Sequence, residues 1–210
     1  MLELFFTSPL LFLVWILAFL IAITIHEFAH AFAANHLGDP TPRLQGRLTL
    51  NPLKHLDPLG TALLIFFRFG WGKPVVFDPY NLQNPRRDSA LISFAGPFAN
   101  LVLASFLSLV LRFFLTPFSP LFFIALPIKF IITLNVWLAI FNLIPIHPLD
   151  GGKILVGILP PNYARQVDLF LTRYGIFILI FLILTPFLST VIFPIADFII
   201  TKLIPGSSFI

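Results

Sequence analysis

From Pro9 to Asn35 the chain is apolar except for a short polar insertion, Ile25-His26-Glu27-Phe28-Ala29-His30-Ala31. That run is long enough to cross a bilayer with some tilt, and ionisable groups inside such a run are costly and tend to be functional. In an α-helix His26 and His30, four residues apart, project from one face about a turn apart, the spacing that lets two ring nitrogens reach one Zn²⁺. Glu27 lies roughly 100° round the helix from His26, within reach of the water that such an ion activates. Ser8 before Pro9 marks a helix start and Gly38 its stop.

Composition supports the membrane setting. The 210 residues are 58% hydrophobic and only 10% charged, with a mean hydropathy of +0.98, where soluble domains carry about 25% charged residues. A net charge of +4 in such a chain is placed mainly by the positive-inside rule, so nucleic acid is excluded as a partner and the lipid bilayer is expected as one. Cysteine is absent. There is therefore no disulfide framework, and any zinc must be held by histidine and carboxylate. The N-terminus lacks a basic n-region and its apolar run is too long for a signal peptide, so it is expected to stay attached as a spanning helix.

The expected fold is an all-α polytopic membrane protein, a bundle of four to six transmembrane segments. Further spans are expected at about Ser89 to Leu115, Leu121 to Leu143 and Tyr174 to Phe193, the last interrupted by Pro186; Ala196 to Leu203 is undecided. Between the first two spans, residues 38 to 58 are turn-rich, and the alternating run Arg47-Leu48-Thr49-Leu50 suggests a small β-hairpin at the membrane surface. Leu59 to Phe67 is apolar but too short to span; it reads as a re-entrant or interfacial element, or as part of a short helix. The re-entrant reading is preferred on charge. If this segment does not cross, Arg43, Arg47, Lys54, Lys73, Arg86, Arg87, Lys153 and Arg165 share one side, as the positive-inside rule requires, with the N-terminus outside.

That topology also selects a third ligand. Catalytic zinc usually takes three protein ligands and keeps one position open. Asp150 lies at the end of the third span on the same side as the histidines, after Pro145 and Pro148 break the helix and before Gly151-Gly152 lets the chain bend. A His26, His30, Asp150 site would run metal-assisted hydrolysis. Zinc polarises the scissile carbonyl and acidifies water, while Glu27 accepts the water's proton and returns it to the leaving amine. A helical substrate must first unwind locally, and backbone freed near Asn142 to Pro148 could pair with it.

Five motifs carry a resemblance. H-E-F-A-H at 26–30, G-R-L-T-L-N-P-L-K-H-L-D-P-L-G-T at 46–61, G-W-G-K-P-V at 70–75, A-G-P-F-A-N at 95–100 and F-N-L-I-P-I-H-P-L-D-G-G at 141–152 together resemble the site-2 protease family of intramembrane zinc metalloproteases, over about residues 15–155. The resemblance implies His26, His30 and Asp150 as zinc ligands, Glu27 as base, and regulated cleavage of membrane-spanning proteins near the cytoplasmic side. There is no room for the PDZ or CBS modules that some members carry, so a small form is expected. His147 stands where relatives often have proline, as a bystander, a neighbour of the site or an adventitious ligand.

Residues 1–210 are accordingly read as one membrane-embedded protease domain, with a catalytic core at about 9–155 and C-terminal transmembrane helices at about 166–204. The chain is expected in the cell membrane as a multi-pass protein, its oligomeric state open. Asn135 and Asn142, seven apart on one helix face, are candidates for positioning substrate or for interhelical hydrogen bonds. Gly96 and Asn100 read as helix-packing residues, and His36 and His55 as interfacial histidines rather than ligands. The alternative function is a zinc-binding membrane scaffold or chaperone without proteolysis. Intact Glu27 argues against it. A transporter is disfavoured by the lack of visible internal repeats.

Overall fold

The computed structural model describes residues 6–67, 70–114 and 119–204. Among the described residues, four helices are long and apolar enough to cross a membrane: α1 (Pro9–His36), α4 (Pro85–Phe114), the run Phe122–Asn142 whose main part is α5 (Ala125–Asn142), and α7 (Pro161–Leu184). Between them lie the short α2 (Thr41–Leu44), α3 (Pro58–Phe67) and α6 (Asp150–Ile158), and α8 (Phe193–Leu203) follows α7. The protein is an all-helical, multi-pass membrane protein.

The long helices pack through four-residue stripes. On α1 the buried positions Ala18, Ala22, His26, His30 and Ala34 form one row, with Ile23, Glu27 and Ala31 beside it. On α4 the row is Asp88, Ile92, Gly96, Asn100, Ala104 and Ser108. Both rows are made mainly of small and polar residues, so the backbones approach closely and polar groups find partners across the gap. Opposite faces carry exposed apolar side chains such as Leu13, Phe98 and Phe106, as lipid-facing surfaces do. A second core joins α4, α5 and α8 through Ala104, Ile132, Val136, Ala196 and Ile200.

Three expectations change. The β-hairpin at 38–58 is absent: the described residues hold no strand, only an isolated antiparallel bridge between Leu56 and Gly72. Arg47 explains why. Its guanidinium turns inward and donates to the carbonyls of Lys54, Lys73 and Pro74, while the His55 ring bonds to Thr49 O, so side chains rather than a ladder hold this loop. Residues 59–67 form no re-entrant turn of their own. They belong to α3, a single helix of ten residues, too short to span.

The fourth span is also displaced. It begins at Pro161, well before Tyr174, and ends at Leu184, where Pro186 cannot continue it. Polar residues such as Arg165 and Asp168 do not interrupt a helix whose hydrogen bonds are internal. Residues 196–203 fall within α8, separated from α7 by a π-helical turn at Leu188–Ile192. The second span's expected end at Leu115 lies outside the described residues.

Candidate metal centre

α1 presents His26 and His30 about a helical turn apart, with ring centroids 4.6 Å apart and planes nearly perpendicular. Asp150 comes from the first residue of α6. The chain turns there after α5: Ile144, Ile146 and Leu149 donate backbone N–H groups within the turn. Gly151 and Gly152 allow α6 to lie against this turn, since a Cβ on Gly151 would overlap the carbonyl oxygens of Leu143 and Ile144. As a result, Asp150 Oδ2 sits 3.1 Å from His26 Nε2 and 3.2 Å from His30 Nε2, and the two Nε2 atoms are 3.0 Å apart.

The remaining ring nitrogens fix the proton positions. His30 Nδ1 lies 2.7 Å from Ile92 O, which can only accept, so Nδ1 carries the proton. His26 Nδ1 lies 2.7 Å from Asn100 Oδ1. Asn100 is oriented by its amide nitrogen, which donates to Ala22 O at 2.9 Å and Asn135 Oδ1 at 2.6 Å; Asn135 in turn donates to Ile131 O at 2.8 Å. Its oxygen must therefore accept from His26. Both neutral imidazoles then turn bare Nε2 lone pairs towards Asp150 Oδ2, which is buried and has no hydrogen-bond donor among the described residues. Three acceptors converge with no proton between them.

Such a cluster requires positive charge. Two imidazoles, each with its Nδ1 anchored, and a carboxylate fit Zn²⁺ in donor type and number and leave one position open. Among the described residues this is the one group of three that could hold a metal ion.

Glu27 is buried beside the cluster, and its Oε2 accepts from Val75 N–H at 2.8 Å. Arg47 holds that segment in place through the Lys73 and Pro74 carbonyls, at 2.6 and 2.7 Å. His26, Glu27, His30 and Asp150 line one cavity of about 780 Å³ whose other walls are mainly apolar, among them Phe19, Ile23, Trp71, Phe141 and Leu179. Asn142 lines it too, its amide nitrogen bonded to Leu138 O. Asn135 does not; it is fully buried against Asn100. His147 bonds Asp168 at 3.0 Å and takes no part in the cluster, and neither His36 nor His55 joins it.

Asn100, the Ile92 carbonyl, Gly96 and Val75 N–H are additions that motif reading did not assign to the site. Asn100→Ala removes the acceptor for His26 Nδ1–H and the links to α1 and α5. Zinc affinity is expected to fall by about 10- to 100-fold, measured by competition with a chromogenic chelator; an unchanged affinity would remove Asn100 from the site.

Comparison with known proteins gives concordant matches. Residues 119–185 match the model of peptidase family M50. The chain is 37% identical over 187 residues to "Putative zinc metalloprotease YwhC" of Bacillus subtilis, covering 87% of this chain and 85% of that protein. It is 37% identical over 183 residues to "Putative zinc metalloprotease Rip2" of Mycolicibacterium smegmatis, covering 85% and 69%. The protein of the same name in Mycobacterium tuberculosis is 32% identical over 162 residues, covering 74% and 61%. No solved structure matches the chain.

Proposed function

The chain belongs to peptidase family M50, the site-2 proteases, and from that premise we propose that it is an intramembrane zinc endopeptidase cleaving membrane-spanning proteins. The observation that carries this reading is the meeting of two bare imidazole nitrogens and an undonated carboxylate oxygen beside a buried glutamate. His26, His30 and Asp150 would hold Zn²⁺, which supplies polarisation of the scissile carbonyl and acidification of water.

The remaining work falls to the chain's own groups. Glu27 takes the proton from the attacking water and passes it to the leaving amine; Val75 N–H on Oε2 fixes the carboxylate and leaves Oε1 for transfer. The apolar cavity admits a locally unwound strand and excludes bulk water. Asn142, at the cavity wall with its oxygen uncommitted among the described hydrogen bonds, aligns that strand by accepting a backbone N–H. The protein resides in the cell membrane with its N-terminus outside, and cleavage occurs nearer the cytoplasmic face, in keeping with the shared side of the basic loops.

The test is metal removal and return. Purified protein reconstituted in lipid is expected to cleave members of a panel of single-span substrates, to stop after treatment with 1,10-phenanthroline, and to recover on adding Zn²⁺. A zinc-loaded protein that cleaves none of them in several lipids would instead support the scaffold reading.

A further inference from the structure

A second cavity, of about 920 Å³, adjoins the first and shares Phe77, Pro148, Lys153 and Ile176 with it. Its chemistry is different. Arg86, Lys153 and Arg165 line it together with apolar Val156, Leu171 and Ile176. The one carboxylate in its lining, Asp168, is engaged by His147 at 3.0 Å. Among the described residues no carboxylate lies within ion-pair distance of Arg86, Lys153 or Arg165; the Lys153 ammonium rests over the Phe77 ring, 4.4 Å from its centroid.

Local helix energetics do not account for these cations. Pro85 and Pro161, the first residues of α4 and α7, both line the cavity, so two positive helix ends face the same space. Arg86 in the first turn of α4 adds like charge where acidic residues are favoured, beside Asp88, whose carboxylate accepts from Asn84 N–H. An anion in the cavity offsets all of it. The lining also runs along α7 from Arg165 to Ile176, roughly 16 Å at 1.5 Å per residue, from the polar start of a membrane-capable helix into its apolar part. That is the profile of a phosphate with a hydrocarbon chain attached.

We propose that this cavity binds an anionic membrane lipid, its phosphate on Arg86, Lys153 and Arg165 and its first methylenes along Leu171 and Ile176. The bland counterpart is that these cations only orient the protein in the membrane. The two readings separate in native mass spectrometry of the detergent-solubilised, zinc-loaded full chain, titrated with phosphatidylglycerol or phosphatidylcholine. One phosphatidylglycerol per chain is expected to bind about tenfold or more tighter than phosphatidylcholine. Arg86→Gln with Arg165→Gln should abolish the preference, and each alone should weaken it. Arg43→Gln with Lys54→Gln removes the same charge from exposed positions outside the cavity and should leave it intact. Zinc content and melting temperature report that each variant is folded. A preference that survives the first pair, or falls equally with the second, overturns the site; inorganic phosphate displacing the lipid at equal concentration would assign it to a free phosphate instead.

Discussion

Glu27→Gln is expected to keep a full complement of zinc and to cleave peptide bonds about a thousandfold more slowly, the middle of the range for losing a positioned general base. The substitution is nearly isosteric, and the glutamine oxygen can still accept from Val75 N–H, now met at 2.8 Å by Glu27 Oε2. What disappears is the ability to take and return a proton. Since Glu27 contributes no atom to the group formed by His26, His30 and Asp150, metal retention should be untouched. Zinc stoichiometry by elemental analysis and initial cleavage rates, measured on one preparation, check both halves. A variant that loses zinc along with activity would make Glu27 part of the metal's own support. One that cleaves within tenfold of the wild type would remove it as the base.

The parts of this site that could be read from sequence are those fixed by local geometry. The spacing of His26 and His30 is a property of any α-helix, and the placement of Asp150 followed from counting membrane crossings. Both are local or topological facts. Asn100 and Gly96 were visible as residues but not as parts of the centre, because their roles depend on how α4 is registered against α1. A signal did exist: Asp88, Ile92, Gly96, Asn100, Ala104 and Ser108 recur every four residues, and a polar and small row of that kind inside a span marks the face that meets other helices.

The readings that changed share a different cause. Four alternating residues, Arg47 to Leu50, satisfy a strand pattern, yet a buried arginine with three carbonyl acceptors overrides it. α7 starts at Pro161 rather than Tyr174 because hydropathy reports where a helix turns apolar rather than where it begins. For the same reason a span expected from Tyr174 leaves out Arg165 and Asp168, which belong to the part of α7 that lines the second cavity.

Gly96→Ala adds a single methyl group and is expected to empty the metal site. A Cβ at this position would overlap Nε2 and Cε1 of His30 and stand 2.9 Å from Cε1 of His26. Neither ring has an easy retreat. His30 is tied to Ile92 O and His26 to Asn100, both on the helix that carries the new methyl, so the rings cannot turn away without breaking those bonds. Moving α4 outward instead would separate the stripes that pack α1 against it. Overpacking of this kind costs about 1–3 kcal/mol, and here the strain falls on the ligand atoms themselves. Zinc affinity should therefore drop more than the roughly 10- to 100-fold expected when an outer partner such as Asn100 is lost, with proteolysis falling in parallel. Comparing the metal-free wild type and metal-free Gly96→Ala in thermal unfolding isolates the packing cost, and chelator competition isolates the effect on the site. A variant with normal zinc affinity and normal cleavage would mean that the two imidazoles do not occupy the space that Gly96 leaves open.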